Sequence, residues 1–299
     1  ACGHVIKCPH CDVSLSQHGI GRAARLVCHY CGYTSAQPAL CPVCGSKYIS
    51  GFKAGTQKIE QVVKARFPQA RVLRMDMDTT RTKDGYEQIL SAFSNHEADI
   101  LIGTQMIVKG HDFPGVTLVG VLAADLSLYI SDYRASERTF QLLTQAAGRA
   151  GRGDIPGNVI IQTYDPDHYS ITTAKEQNYE AFYGQEIEYR KMMRYPPVWN
   201  MLYILCASKN EAAAGEAAVA LMGKIDQIVR ENSEKIFSIG PSDAPVAKIS
   251  DVYRKVIYVK TREYQTLVTL KDGLEAFIKD NRLYQNVAVG FDFNPVNGF

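Results

Sequence analysis

The segments ILIGTQMIVKGHDFPGVTLVGVLAAD, residues 100–125, and QAAGRAGRG, residues 145–153, decide the fold of this chain. The first segment contains two apolar runs, one ending at Gly103-Thr104 and one covering residues 116–124, which have the length of buried strands. The polar stretch before Gln145 predicts a helix, and the glycine- and arginine-rich end predicts a phosphate-facing turn. Strands that alternate with helices indicate an α/β domain.

The same alternation extends outward from these segments. We predict strands at 48–53, 71–75, 99–102, 116–123 and 158–163, and helices at 55–67, 84–93 and 134–147. Nearly continuous apolar strands predict a parallel sheet that is covered on both faces. Ligands of such sheets collect at the carboxyl ends of the strands, where we expect residues 103–104, 124–125 and 145–152 to lie.

Bulk composition limits the possible functions only loosely. The chain has 299 residues, 46% of them hydrophobic, and a formal charge of +2, so any nucleic-acid contact must come from local basic clusters. No apolar run reaches the roughly 18 residues of a membrane span, so no membrane partner is expected. The chain begins Ala1-Cys2-Gly3-His4, within a cysteine pattern and without a methionine, and we expect it to be a fragment.

Seven of the eight cysteines lie within the first 44 residues. They form three Cys-x-x-Cys pairs and the second half of a fourth: Cys8/Cys11, Cys28/Cys31, Cys41/Cys44 and Cys2. Two intervening residues let both thiolates of a pair reach one tetrahedral ion, and a following glycine suits the positive φ of the turn. Metal thiolates in a reducing cytoplasm are therefore favoured over disulfides.

We interpret residues 1–46 as a zinc-ribbon-like module with two nested structural zinc sites. The inner site is formed by Cys8, Cys11, Cys28 and Cys31, and the outer site by Cys2, Cys41 and Cys44. The fourth position of the outer site is left to water, a tag residue or a histidine such as His4. The remaining histidines of the module, His10, His18 and His29, are expected not to bind metal. Zinc held by four sulfurs has no open position for catalysis.

Two motifs carry a resemblance to a known family. Residues 103–112, which contain GTQ and KGHD, resemble motif V of superfamily 2 helicases, and QAAGRAGR at 145–152 resembles their motif VI. Together with the cysteine array that leads into GTQKIEQ at 55–61, the whole chain resembles the PriA family of primosomal replication-restart helicases. The resemblance implies that residues 47–175 are a RecA-like second helicase lobe within a bacterial ATP-dependent 3′ to 5′ DNA helicase. Such a helicase recognises stalled or branched forks and promotes primosome assembly.

The resemblance assigns nucleotide-binding roles to residues of both motifs. Arg149 and Arg152 are expected to stabilise the charge on the γ-phosphate of ATP in the transition state. Gln145 is expected to contact the nucleotide or to relay between lobes, and Gly110 and Asp112 to lie near the ribose.

DNA contacts are expected from a second group of residues. Thr104 and the backbone at Gly55 and Thr56 are placed to hold phosphates, the latter at a helix N-terminus. Lys109 is expected to serve either the DNA or the nucleotide.

The sequence lacks two motifs that ATP hydrolysis needs. Neither a G-x-x-x-x-G-K-[ST] loop nor a D-E-x-[HD] box occurs, so the phosphate cradle and the Mg²⁺ ligands are missing. We predict that the chain alone cannot hydrolyse ATP, and that ATP and Mg²⁺ bind only together with another lobe.

The carboxyl-terminal third predicts a linker and one further domain. Residues 176–199 contain a helix that ends before Pro196-Pro197, and their tyrosines are expected to pack against a neighbouring domain rather than stack on bases. Residues 200–299 predict the strand and helix order βαββαβ of a ferredoxin-like α+β domain. Residues Ala218, Leu221 and Ile225 recur at helical spacing as a buried stripe, and Cys206 is expected in the core.

Basic residues in this last domain suggest a DNA contact. Residues 240–248 predict a loop that two prolines stiffen, and Lys248, Arg254 and Lys255 on its flank would suit DNA phosphates at a fork. A solvated basic hairpin is the alternative. The resemblance implies that this domain binds forked and single-stranded DNA and single-strand DNA-binding protein, with primosome proteins as further partners.

Two other functions compete with this interpretation. A zinc-stabilised module that binds forks or proteins without catalysis would use the α/β domain only as a scaffold. A branched-DNA translocase would share motifs V and VI, but the cysteine array and the last domain count against it. We expect a monomer in the bacterial cytoplasm, associated with the nucleoid.

Overall fold

A computed structural model describes residues 4–18, 25–47, 55–80, 84–108, 113–130, 132–151, 155–231 and 236–296. The predicted strand at 48–53 and the candidate residues Cys2, Lys109, Gly110, Asp112 and Arg152 lie outside these ranges. The chain divides into a middle unit, Gly51–Gln185, and a composite unit of Ala1–Ser50 with Glu186–Phe299. The predicted linker 176–199 is thus shared between the two units, and the cysteine module belongs with the carboxyl-terminal domain.

The cysteine module of the composite unit has little regular structure. Its strands β1 (Ser16–His18), β2 (Arg25–Val27) and β3 (Thr34–Ala36) form a small antiparallel sheet in that order. Its interior consists of Cys8, Cys11 and Cys28, with partly buried apolar side chains around them. So small an apolar interior needs a cross-link or a metal for stability.

The middle unit alternates helices with parallel strands, as predicted. The elements are α1 (Thr56–Arg66), β4 (Val72–Met75), α2 (Gly85–Ser94), β5 (Ile100–Gly103), β6 (Leu118–Val121), α3 (Ala135–Ala147) and β7 (Asn158–Ile161). β4 pairs with β5 and β6 with β7, both in parallel, so the described strands form two separate pairs instead of one sheet. One face of β6 and β7 is open, because Leu118 and Ile160 are 59% and 62% exposed.

The region after β7 forms two helices where the sequence predicted one. α4 (Tyr169–Lys175) begins after His168, whose Nδ1 accepts a hydrogen bond from the Ser170 N–H at 3.2 Å. α5 (Tyr179–Met193) follows. The sequence prediction missed α4 because serine and threonine side chains compete for backbone hydrogen bonds and weaken the helical pattern.

The end of α5 packs on the carboxyl-terminal domain. The Lys260 ammonium lies 3.8 Å from the centroid of the Tyr195 ring and donates to the Met193 carbonyl at 3.2 Å. For Tyr195 the predicted packing on a neighbouring domain is confirmed. Tyr179 and Tyr183 are 62% and 52% exposed.

The carboxyl-terminal domain has the predicted ferredoxin-like order. Its elements are β8 (Asn200–Ser208), α6 (Glu211–Glu231), β9 (Phe237–Ile249), β10 (Val252–Thr261), α7 (Tyr264–Lys279) and β11 (Ala288–Phe293). The antiparallel sheet has the strand order β11-β8-β10-β9. The prediction of a loop at 240–248 is wrong, because these residues continue β9 and pair with β10.

Both helices of this domain cover one face of the sheet. Ala218, Leu221 and Ile225 of α6 are 0% exposed, which confirms the predicted stripe. Cys206 of β8 is also 0% exposed, and burial raises the pKa of its thiol to about 12. In the described part of the chain, no helix is long and apolar enough to cross a membrane.

Truncation of the buried stripe should destabilise the domain strongly. We expect Ile225→Ala to lower the free energy of unfolding by about 3 kcal/mol, because it removes packed methyl groups and leaves a cavity. Val219 on the same helix is 62% exposed, so Val219→Ala should change it by at most about 0.5 kcal/mol. Urea unfolding of both variants measures this difference, and equal losses would contradict the packing described here.

Candidate functional site

Four cysteine thiols meet in one cluster. The Sγ atoms of Cys8, Cys11, Cys28 and Cys31 all lie within 4.8 Å of one another, and those of Cys8 and Cys31 are 3.6 Å apart. Cys8, Cys11 and Cys28 are 5% exposed or less, and Cys31 is partly exposed. Four convergent sulfurs fit a tetrahedral structural zinc ion. The structure therefore brings together the complete inner set.

The electrostatics of the thiols favour a bound cation. Burial raises the pKa of the Cys8 and Cys11 thiols. Burial alone would also raise the pKa of the Cys28 thiol. The backbone N–H groups of Cys31 and Tyr30 donate to its sulfur, however, and help to lower its pKa to about 7. Several buried thiolates side by side are unfavourable without a compensating charge, which a divalent ion supplies.

The three Cys-x-x-Cys pairs share one backbone hydrogen bond, and the second and third pairs share two. The N–H of the first cysteine donates to the carbonyl five residues further on, at 2.9, 2.8 and 2.9 Å from Cys8, Cys28 and Cys41. Gly32 and Gly45 donate back to the carbonyls of Cys28 and Cys41, both at 2.9 Å. Their φ values of 76° and 66° lie in the region that favours glycine. The third pair is thus shaped like the pair Cys28/Cys31 and shares one hydrogen bond with Cys8/Cys11.

The structure leaves the outer site incomplete. Cys41 is partly exposed, Cys44 is exposed and Cys2 lies outside the described residues. Among those described residues, the four-cysteine cluster is the one group of three or more possible ligands. His10 contacts Asp251, and the Nε2 atoms of His18 and His29 are 3.2 Å apart, so none of these histidines belongs to the cluster.

A second candidate site lies where β4 ends in the middle unit. Asp76, the residue after β4, is 7% exposed. Its carboxylate accepts from the Thr56 hydroxyl at 2.5 Å and from the N–H groups of Asp78 and Thr79 at 3.0 Å. Burial opposes ionisation, but these hydrogen bonds lower the pKa of Asp76 below its usual value. The start of α1 is thereby held against the loop after β4.

Gly103 places Thr104 beside the same strand end. A Cβ at Gly103 would lie 2.6 Å from the Met75 carbonyl oxygen and 2.8 Å from Cγ2 of Ile107, so only glycine fits. Thr104 follows directly and is exposed. Thr104 lies at a carboxyl strand end, as predicted, and the hydrogen bond to Asp76 brings Thr56 to the carboxyl end of β4 as well.

The segment 145–151 lies at the other end of its strands. The Gly151 N–H donates to the carbonyl of Val116, just before β6, at 3.0 Å. Ala124 and Asp125 do lie after β6, but the prediction that residues 145–151 share the carboxyl ends of the strands with them is wrong. A helix between parallel strands carries the chain back to their amino ends, and α3 does so here.

Two glycines fix this segment against the chain before β7. A Cβ at Gly151, whose φ is 72°, would lie 2.5 Å from the Gly157 nitrogen, and a Cβ at Gly157 would lie 2.2 Å from the Gly151 nitrogen. Their close approach sets the position of Arg149, which is half-buried, while Gln145 on α3 is exposed.

Sequence reasoning gave no role to Asp125, which organises the carboxyl ends of β6 and β7. Asp125 is 3% exposed and accepts from the Thr163 hydroxyl at 2.5 Å and from the N–H groups of Tyr164 and Asp165. Burial would raise the pKa of Asp125, but these hydrogen bonds lower it. An aspartate directly after an apolar strand was the signal, as it was for Asp76.

The basic residues predicted to contact DNA have polar partners within the structure. The Lys248 ammonium donates to the Pro9 carbonyl at 2.9 Å, and Lys255 donates to Asp243 at 2.5 Å. Arg254 and Lys255 are neighbours on β10, so their side chains point to opposite faces of the sheet. Contact of Lys248, Arg254 and Lys255 with DNA therefore stays a prediction.

Comparisons with known proteins match three successive parts of the chain. The PriA DNA helicase Cys-rich region domain matches residues 8–35. The helicase conserved C-terminal domain matches residues 47–154, and the primosomal protein N C-terminal domain matches residues 191–296.

Whole-chain relatives agree with these matches. The chain is 46% identical over 296 residues to the replication restart protein PriA of Bacillus subtilis, covering 98% of this chain and 36% of that protein. It is 44% identical to the protein of the same name from Synechocystis, covering 87% of the chain and 31% of the relative. It is 40% identical to the replication restart protein PriA of Chlamydia pneumoniae, covering 100% of the chain and 39% of the relative. The chain thus spans about a third of the length of the curated relatives it matches.

Proposed function

Because this chain belongs to the PriA family of replication restart proteins, we propose that it is part of an ATP-dependent 3′ to 5′ DNA helicase. The helicase would act at stalled or branched forks and promote primosome assembly. The observation that carries this proposal is the segment around Arg149 at the end of α3, where Gly151 and Gly157 approach each other closely and the Gly151 N–H donates to the Val116 carbonyl. A guanidinium held in place can stabilise charge that develops on a phosphoryl group.

The nucleotide role falls on the amino ends of β6 and β7. Arg149 and Arg152 would act on the γ-phosphate of ATP, with Mg²⁺, held by a lobe that this chain does not contain. Gln145, one turn before Arg149 and exposed, would contact the nucleotide or the other lobe. Gly110 and Asp112 are proposed to lie near the ribose.

The DNA role falls on the carboxyl ends of β4 and β5. Gly55 at the start of α1 makes no side-chain cap, so the first N–H groups of that helix are available for a phosphate. Thr104 is exposed beside the same strand end, and Lys109 follows it in the sequence. Nucleotide and DNA would therefore bind at different strand ends of the lobe, which lets the lobe transmit changes between the two ligands.

The cysteine module would hold structural zinc. The inner ion would be bound by Cys8, Cys11, Cys28 and Cys31, and a second ion by Cys41 and Cys44 together with Cys2. The backbone hydrogen bonds that the pairs share support the second site. Single-strand DNA-binding protein and primosome proteins are the proposed partners of a monomer that works at the bacterial nucleoid.

Binding of forked DNA tests the proposed DNA role. Lys109 is the one cationic residue among the contacts proposed here, and one neutralised phosphate predicts that affinity falls by about threefold between 50 and 200 mM salt. We expect Thr104→Val to weaken binding several-fold. Thr144→Val on α3 should not, because its hydroxyl bonds to the Phe140 carbonyl of its own helix at 2.9 Å. Fluorescence anisotropy of a labelled fork measures both effects, and a flat salt response would contradict the proposed contacts.

A further inference from the structure

The hairpin that joins β9 to β10 has a turn that its sequence does not favour. Ser250 and Asp251 form the two-residue turn, with φ values of 50° and 60°. Turns with positive φ at both central residues prefer Asn-Gly, because residues with a Cβ are strained there. A strained turn persists only where the surrounding structure requires it.

The tip of this hairpin, residues 248–251, contacts the first cysteine pair. The Asp12 N–H donates to the Lys248 carbonyl at 2.8 Å, and the Asp251 N–H donates to the His10 carbonyl at 2.9 Å. The Lys248 ammonium donates to the Pro9 carbonyl at 2.9 Å, and His10 Nδ1 lies 2.7 Å from the Asp251 carboxylate. These contacts fix the backbone of the knuckle on both sides of Cys11.

A fifth contact reaches the metal-binding sulfur itself. The Ser250 N–H donates to Sγ of Cys11 at 3.2 Å, and Ile249 packs against the cysteine cluster. Groups that hydrogen-bond to a metal ligand orient it, and their loss weakens metal binding. The positive φ of Ser250 belongs to the turn that directs its N–H at this sulfur.

We propose that the hairpin tip is a positioning element of the metal centre, so that metal retention and docking of the carboxyl-terminal domain on the cysteine module are coupled. This inference rests on the proposed zinc site. The joined segments are about 240 residues apart in the chain, with residues 51–185 between them in sequence. Zinc would therefore stabilise not only its own module but also the joint that closes this long segment.

Loss of the tip contacts should speed zinc release. The double variant Lys248→Met/Asp251→Gly removes the contacts to Pro9 and to the His10 side chain, while glycine suits the turn and leaves the hairpin itself intact. We expect zinc capture by an excess of chelator to be about tenfold faster than in the wild-type chain. The matched control is Lys271→Met, which removes an ion pair to Glu275 on α7 and should leave the rate unchanged.

Hydrogen exchange provides a second readout that does not depend on the variants. Amides of residues 248–252 should exchange faster in the zinc-free chain than in the zinc-loaded chain, while α6 keeps its protection. Total zinc in the wild-type chain separates the two proposals. A chain without zinc would overturn the metal centre. A zinc-loaded chain whose release rate is unaffected by the double variant, or whose hairpin exchange is unaffected by zinc, would overturn the coupling.

Discussion

Replacing Arg149 with alanine in a full-length protein that carries this chain is expected to lower kcat for DNA-stimulated ATP hydrolysis by roughly 10³-fold. The guanidinium would act on charge that grows in the transition state, so its removal should leave ATP binding nearly unchanged. Arg149→Lys should recover little activity, because an ammonium lacks the planar fork of donors. Steady-state kinetics with saturating fork DNA measure the effect.

The matched control for Arg149 lies on the helix that precedes it. Gln141 is exposed on α3, and its side chain donates to Glu137, one turn away. Gln141→Ala should retain the wild-type kcat. If Arg149→Ala hydrolysed ATP as fast as Gln141→Ala, the chain would be better described as a non-catalytic zinc-stabilised platform.

Replacing Cys28 with serine should abolish zinc binding at the four-cysteine cluster. Cys28 is 0% exposed, and its thiol has a lowered pKa of about 7, so it is well suited to bind metal as a thiolate. Structural zinc contributes an apparent binding free energy of about 10–16 kcal/mol in small domains, and this module has little other interior. We expect one zinc fewer per chain and loss of protection in β1, β2 and β3.

His29→Ala serves as the control for that substitution. His29 is the next residue, is exposed, and does not belong to the cysteine cluster. Its replacement should leave zinc content unchanged. Metal analysis and amide exchange compare the two variants, and an unchanged zinc content in Cys28→Ser would contradict the cluster as the metal site.

Local sequence patterns predicted most of the elements and the four-cysteine cluster. The spacing of Cys8, Cys11, Cys28 and Cys31 dictates one shared ion, because a pair of thiolates satisfies only half of a tetrahedral site. The buried stripe of Ala218, Leu221 and Ile225 was equally predictable, because apolar residues at helical spacing face the core. These features depend on residues that are close in sequence or that, like paired cysteines, have a characteristic metal-binding chemistry.

What the sequence could not predict depends on long-range geometry. The end of α3 was assigned to the wrong strand ends, although the predicted order of strand, helix and parallel strand already places the end of that helix at the amino ends. Residues 240–248 contain two prolines and were predicted as a loop, yet they pair with β10 through an irregular register. The hydrogen bond from Lys248 to the carbonyl of Pro9, 239 residues away, was not predicted either.

We place the two ligands at different strand ends of one unit. Thr56 and Thr104 adjoin the carboxyl end of β4, whereas Arg149 follows α3 back to the amino ends of β6 and β7. Hydrolysis at one place and DNA contact at the other can be coupled through the rigid strands and helices between them. Asp76 and Asp125, which tie loops to strand ends, would preserve that rigidity.

Trapping of a transition-state analogue tests the central claim most directly. The full-length protein would be mixed with fork DNA, ADP and aluminium fluoride. The ADP–aluminium fluoride complex mimics the phosphoryl group in transfer, whereas a non-hydrolysable ATP analogue mimics the ground state. We predict that Arg149→Ala binds the ATP analogue like the wild type but loses ADP–aluminium fluoride trapping by at least 10²-fold, on the order of one lost transition-state donor. Equal trapping by the variant and the wild type would show that Arg149 does not complete the active site.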